Sequence, residues 1–206
     1  MTLIDIHTHN TVIADRTIFN SGTIYIAGRN ISIGIHPWHI GNDWKEKFAS
    51  IAGFAKEKNV VAIGECGLDM LKSPAPIELQ EEIFKVHVEL SEELQKPLII
   101  HCVKAYDRLI ALRKELKPQQ AWILHGFRGK PQQALQLVRA GLYISLGEKF
   151  NPESANAIPM EKLFIETDES SLPLTEIYAA VAAAKGTTKE QLAQQIAINA
   201  RIFGQF

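Results

Sequence analysis

Leu3-Ile4-Asp5-Ile6-His7-Thr8-His9 is the stretch on which the fold turns. It is an apolar run too short for a helix, and it ends on two histidines one residue apart. The arrangement recurs down the chain. Ile31 to Ile35 is a second run, Val60 to Gly64 leads into Glu65, and Leu98-Ile99-Ile100 leads into His101. Ala121 to Leu124 leads into His125, Leu142 to Leu146 follows, and Leu163 to Glu166 is closed by Asp168. Short apolar runs separated by helical stretches are the pattern of parallel strands in an α/β protein. The clearest helix runs from about Pro76 to Gln95, with Leu79, Ile83, Val86, Leu90 and Leu94 at helical spacing. Another carries Ala134, Leu135 and Val138 and stops near Gly141, and Thr187 to Phe203 reads as a last helix capped by Thr187 or Thr188. The fold class expected is α/β, a (β/α)8 TIM-type barrel over one domain, residues 1–206.

The barrel is expected to be distorted and shortened near its N-terminus. Thr23 to Ala27 reads as a strand, followed by Gly28-Arg29-Asn30 and the run Ile31 to Ile35. A connection this short between β-rich runs predicts an antiparallel hairpin at 23–35, because a parallel crossover takes a dozen residues or more. No helix fits there, and none clearly fits between Asp5 and Thr23.

The 206 residues carry 22 basic and 23 acidic side chains, a formal net charge of -1. That balance argues against a broad basic surface wrapping long nucleic acid, though not against a small positive site that handles one end. No stretch is apolar for long enough to span a membrane, and the N-terminus lacks a basic region followed by an apolar run. The expectation is a cytoplasmic protein with no membrane partner and no obligate protein partner. Cys66 and Cys102 do not form a secreted disulfide pattern.

In a (β/α) barrel the C-terminal strand ends all point at one mouth. His7, His9, Glu65, His101, His125 and Asp168 would meet there. Side chains two apart on an extended chain share a face, so His7 and His9 can grip one ion. Taken singly, each of these residues has an ordinary structural explanation: a packed histidine, or a carboxylate capping a helix. Together, four histidines and two carboxylates exceed what one tetrahedral ion needs. They suit two divalent ions about 3.5–4 Å apart, with the two oxygens of Glu65 as the natural bridge.

The order of these pieces resembles the TatD family of metal-dependent deoxyribonucleases, within the amidohydrolase-like superfamily. The matching motifs are Ile4-Asp5-Ile6-His7-Thr8-His9, Gly34-Ile35-His36-Pro37 and Ala62-Ile63-Gly64-Glu65-Cys66-Gly67-Leu68-Asp69. Pro97-Leu98-Ile99-Ile100-His101, Leu124-His125-Gly126-Phe127, Ile165-Glu166-Thr167-Asp168 and the closing Ile198-Asn199-Ala200-Arg201-Ile202-Phe203 complete them. The resemblance implies two divalent cations, zinc, magnesium or manganese. It places His7, His9, Glu65 and Asp168 on one, and Glu65, His101 and His125 on the other. It also implies hydrolysis of phosphodiester bonds in DNA ends or another phosphoester substrate. Asp168 would accept the proton of the attacking water. The chain departs from the family in several places. The helices on either side of the second strand are missing, no Arg follows His101, Met70 stands where an aromatic is usual, and Glu169-Ser170 replaces a small residue and a proline.

Other residues carry two readings each. His36 is either a phosphate contact or part of a structural turn with Pro37 and Trp38, and His39 fits the turn. Arg128, three residues past His125, is the best candidate among Lys72, Lys104, Arg128 and Lys149 for a phosphate oxygen pair. Asp69 either orients a metal ligand or caps its loop. Cys66 and Cys102 read as small core residues, and His87 as a packed or partly solvated helix residue. Two rivals remain: an amidohydrolase-like or small-phosphoester hydrolase, and a catalytically silent metal-binding barrel.

Overall fold

The computed structural model describes residues 2–11 and 16–204. Its strands are β1 Asp5–Thr8, β2 Thr17–Asn20, β3 Ile31–Ile33, β4 Val60–Asp69, β5 Leu98–Val103, β6 Trp122–Leu124, β7 Tyr143–Leu146 and β8 Leu163–Ile165. The α-helices are α1 Trp44–Phe54, α2 Ile77–Leu94, α3 Tyr106–Leu116, α4 Pro131–Arg139, α5 Pro152–Ala157, α6 Leu174–Ala184 and α7 Lys189–Asn199. The strands follow one another in sequence order from β1 to β8, parallel, and a parallel bridge from Asp168 to Thr8 returns the last to the first. This is the connectivity of a (β/α)8 barrel. Contacts divide the chain into two compact units, Met1–Phe19 with Ile123–Phe206, and Asn20–Trp122.

In the first unit the helices clamp the strands by side chains that serve backbone groups. Tyr178 on α6 accepts from the Ile4 N–H at 3.2 Å and donates to the Ile4 carbonyl at 2.8 Å. Asn199, at the end of α7, donates to the carbonyls of Met160 at 2.8 Å and Leu163 at 2.9 Å, just ahead of β8. Thr188 caps α7 with a capping box to Gln191, one of the two caps read from the sequence.

In the second unit β4 is buried along its whole length, so Glu65 lies within a strand and not at its end. Gly67 has φ 143, and a Cβ there would sit 2.0 Å from the His101 carbonyl oxygen. Only glycine lets β4 and β5 approach this closely at the residue pair Gly67 and His101. The inward stripe of α2 is rotated from the one read in the sequence. Ile83 and Leu90 are buried as read, and they are joined by Gln80, Phe84, His87, Val88 and Ser91, while Leu79, Val86 and Leu94 are only half-buried. Two of the polar residues face inward because each serves backbone: Gln80 accepts from the Asp69 N–H at 2.7 Å, and His87 accepts from the Ile35 N–H at 3.0 Å.

The antiparallel hairpin expected at 23–35 is not present. Thr23 to Ala27 forms turns, and the second strand is Thr17–Asn20. The Ser21 N–H donates to Ser32 O and the Gly34 N–H to Gly22 O, so numbering rises together along both segments and the pairing is parallel. No helix lies between β1 and β3 among the described residues, as expected; positions 12–15 lie outside them. The crossover from Ser21 to Asn30 dispenses with a helix because one amide takes over part of its work. Asn59 donates to the carbonyls of Ile26 at 2.8 Å and Arg29 at 2.9 Å, and accepts from the Tyr25 hydroxyl at 3.0 Å. The Tyr25 ring stacks on Phe54 of α1 at 5.2 Å. The β-forming residues of this stretch are thus spent on packing against a helix end or left exposed, as Ile24 is at 68%. Asn59→Ala removes three hydrogen bonds at once. It is expected to cost about 1–3 kcal/mol in urea unfolding and to open residues 21–30 to limited proteolysis. Unchanged stability and cleavage would show that the crossover holds without its asparagine.

Candidate functional site

In the first unit, Asp168 is held between His7 of β1 and His9 just past it by its own backbone. Its N–H donates to His7 O at 3.0 Å and its carbonyl accepts from the His9 N–H at 2.9 Å. The residue has φ 54, a conformation that costs a non-glycine residue about 1–2 kcal/mol. The result brings Asp168 Oδ1 to 3.8 Å from His7 Nε2 and 3.7 Å from His9 Nε2. The His125 ring, just past β6, lies 4.3 Å from that of His7. One donor atom each from His7, His125 and Asp168 falls within 4.8 Å of the others. Behind them Asp5 accepts from the His7 N–H at 3.3 Å, the Thr167 N–H at 3.0 Å and the Thr167 hydroxyl at 2.7 Å. Burial pushes the Asp5 carboxyl up to about 7 despite these bonds.

Glu166 was passed over in the sequence as the end of an apolar run, and it belongs to this cluster. Its Oε1 accepts from the Gly126 N–H at 2.6 Å and lies 3.5 Å from His125 Nδ1. Burial alone would push its carboxyl up, but His125 and His7 hold it below the usual carboxylate range. A carboxylate against Nδ1 leaves Nε2 as the atom with which His125 can ligate. Arg128 and Lys149 line one pocket of about 150 Å³ with Asp168, alongside Glu148, Glu166 and Glu169.

In the second unit, Glu65 is the hub. Its Oε2 accepts from Asn20 Nδ2 at 2.8 Å, and its Oε1 lies 3.0 Å from His36 Nε2 and 2.9 Å from His101 Nδ1. The other ring nitrogen of His101 lies 3.0 Å from Asp69 Oδ2. Burial pushes the Asp69 carboxyl up, yet bonds from Trp38, His101 and the Lys72 and Leu71 amides bring it below its ordinary value. The His101 ring thus has a carboxylate at each nitrogen, Glu65 at Nδ1 and Asp69 at Nε2. Asp69 is therefore an orienting partner of His101 as well as a loop cap.

His36 is different. Its Nδ1 accepts from the Trp38 N–H at 3.0 Å, which puts its proton on Nε2. Although its atoms fall within ligand distance of Glu65 and His101, a protonated nitrogen does not ligate. His36 is a hydrogen-bond donor beside Glu65. Asn20 escaped the sequence reading because the second strand was placed six residues too late, which hid Asn20 at a strand end. Trp38 escaped because its contact with Asp69 is distant in sequence. Cys66 and Cys102 are buried and free, and burial pushes the Cys102 thiol up to about 12 and that of Cys66 higher still. They are inert core residues, as expected. Imidazole and carboxylate donors in each unit are chemically suited to zinc, manganese or similar divalent ions.

Comparison with known proteins adds an independent line. The family described as TatD related DNase matches residues 20–204. A 3'-5' ssDNA/RNA exonuclease TatD of Klebsiella pneumoniae (strain 342) is 37% identical over 145 residues, which is 66% of this chain and 55% of that protein. A protein of Buchnera aphidicola subsp. Baizongia pistaciae (strain Bp), named as an uncharacterized metal-dependent hydrolase, is 33% identical over 150 residues, 69% of this chain and 56% of its own. This chain thus spans little more than half the length of these relatives. Among solved structures, the TatD homologue YJJV of Escherichia coli superposes with a TM-score of 0.73 at 22% identity, over 84% of this chain and 76% of that one, a likeness of fold.

His87 fixes the turn that carries His36, and it does so as a neutral ring. Its Nε2 accepts from Ile35 N–H and its Nδ1 donates to Ile83 O at 2.7 Å. Burial pushes it down to about 4 from an ordinary value near 6.5. Between those values the unfolded chain binds a proton that the folded protein does not. The stability it contributes therefore rises with pH across this window and is lost as pH falls from about 6.5 toward about 4, with a slope approaching about 1.4 kcal/mol per pH unit. Asp5, held up to about 7, contributes a slope of the opposite sign over the same range to both proteins, so urea unfolding at several pH values should show wild-type stability rising with pH more steeply than that of His87→Gln by this amount. Equal slopes in both would mean that His87 is not held neutral.

Proposed function

This chain belongs to the TatD-related DNase family, and from that premise we propose that it is a divalent-metal-dependent hydrolase of phosphodiester bonds in single-stranded nucleic acid. The observation that carries the reading is the backbone seating of Asp168 between His7 and His9, with His125 against them. The proposed ligands are His7, His9, His125 and Asp168 in the first unit and Glu65 and His101 in the second. Two ions is the count the family resemblance implies for them. When bound, such ions lower the pKa of water and neutralise charge on phosphoryl oxygens.

The chain's own groups supply the rest. Asp168 accepts the proton of the attacking water. His36, with its proton on Nε2, donates to a phosphoryl oxygen beside Glu65. Arg128 offers a two-pronged fork to a phosphate in the pocket it shares with Asp168. Glu166 and Asp69 orient the rings of His125 and His101. The names of the exonuclease and metal-dependent hydrolase relatives support the bond class and the need for metal.

Gently purified protein should contain metal, and chelation followed by manganese or zinc titration should abolish and restore cleavage of a labelled single-stranded oligonucleotide. Saturation at one ion per chain or fewer would sink the two-ion assignment. Cleavage of a phosphate monoester with none of oligonucleotides would move the substrate to small phosphoesters.

Glu65 and Asp168 separate in their variants. Glu65→Gln should lower metal content and turnover together, because an amide is a poor bridge between cations. Asp168→Asn should keep more of its metal and still lose turnover by about 10²–10⁴-fold, since an amide cannot take a proton. Near-normal turnover of a metal-loaded Asp168→Asn would reduce Asp168 to a ligand.

A further inference from the structure

The indole of Trp38 is held by everything around it and still faces solvent. Its Nε1 donates to Asp69 Oδ2 at 2.6 Å, and its backbone N–H donates to His36 Nδ1. Pro37 precedes it, and the Ser73 hydroxyl donates to the Pro37 carbonyl at 2.8 Å, stapling this turn to the loop after β4. The ring is nonetheless 39% exposed. On it lies a cation, with Lys72 Nζ 4.5 Å from the ring centroid, and the Lys72 N–H is anchored on Asp69 Oδ1 at 2.9 Å. Met70 and Leu71, 55% and 67% exposed, extend the apolar surface. Asp69 is the carboxylate at this patch, and both of its oxygens accept hydrogen bonds from protein groups.

The position of this ring decides what it can serve. Its centroid lies 4.8 Å from that of His36 and 5.6 Å from that of His101. It stands one ring away from the donors of the second unit. A group seated on it is therefore a neighbour of whatever bond those donors act on.

We propose that Trp38 and Lys72 form a nucleotide subsite, in which Lys72 swings from the ring face to the backbone phosphate and the base next to the scissile phosphate takes its place on the indole. The inference rests on the nuclease reading above and names the part of the substrate it grips. A fixed aromatic ring costs little entropy to stack upon, and stacking accepts any base because every base has a π face. A flexible lysine beside it supplies charge to a phosphate without selecting sequence. A small phosphate ester would leave both groups unused.

The test compares a short oligothymidylate with the same strand carrying abasic sugars, both with phosphorothioate linkages, on manganese-loaded protein by fluorescence anisotropy. Wild type should bind the base-bearing strand about 5- to 150-fold more tightly than the abasic one, the range of one stacked base. In Trp38→Ala that ratio should fall to near one. Trp38→Phe, which keeps a ring but loses the bond to Asp69, should keep most of the ratio. An unchanged ratio in Trp38→Ala overturns the subsite. Equal losses in Phe and Ala also overturn it, because Trp38 would then act through Asp69. Lys72→Ala should weaken both strands alike with a shallower salt dependence, and unchanged binding removes Lys72 from the subsite. The two readings fail separately. Base preference without turnover on a natural oligonucleotide defeats the nuclease assignment alone, and turnover without base preference in wild type defeats the subsite alone.

Discussion

Two backbone hydrogen bonds on either side of Asp168 are the constraint on which the first unit is built. Because the N–H goes to His7 O and the carbonyl to the His9 N–H, the main chain that carries the carboxylate is fixed against both histidines. His7 and His9 are fixed by the same bonds. The left-handed backbone at Asp168 is tolerated because β1 holds it from both sides. Asp5 and Thr167 then lock the layer beneath, with the Thr167 hydroxyl within 2.7 Å of both Asp5 Oδ2 and Thr8 Oγ1. Three side chains able to hold a cation are thereby oriented before any cation arrives.

Each unit repeats one device within itself: a buried carboxylate set behind an imidazole. In the second unit Asp69 stands behind His101, and in the first Glu166 stands behind His125. A buried carboxylate is costly unless its oxygens are occupied. Here main-chain amides serve one oxygen of each, Gly126 for Glu166 Oε1 and Leu71 and Lys72 for Asp69 Oδ1, while Trp38 serves Asp69 Oδ2 and Glu166 Oε2 has no hydrogen-bond partner among the described residues. His125 and His7 hold the Glu166 carboxyl below the usual range, Trp38 and His101 with the two amides do so for Asp69, and each carboxylate orients the ring in front of it.

Much of this was legible in the sequence, and the reasons differ by element. Apolar runs followed by His or acid revealed the strand order, because a buried parallel strand begins as a continuous apolar run; they did not show that β4 and β5 continue past Glu65 and His101. The Thr188 cap was likewise local. What misled was the stretch from Thr23 to Ala27. Its β-forming residues obey local propensity, but their partners are Asn59 and Phe54, far along the chain. Once that strand was misplaced, Asn20 could not be recognised at the end of the real one. The inward stripe of α2 was misjudged because hydrophobic periodicity does not see Gln80 and His87, which face inward to satisfy backbone. Which ring nitrogen of His36 holds the proton depends on a single amide of the next turn, and no pattern in the sequence encodes it.

The crossover from β2 to β3 shows how little chain a parallel connection needs. A helix normally fills this role because it satisfies its own backbone while returning the chain to the start of the next strand. Here one asparagine at the end of the following helical segment covers two carbonyls, and a stacked tyrosine supplies the hydrophobic seal. The unit is modular in an engineering sense: a ten-residue loop on one side and a single receiving residue on the other. Barrels could be pruned at chosen crossovers by installing that pair, leaving the strand order intact while removing the mass of a helix from one sector of the wall.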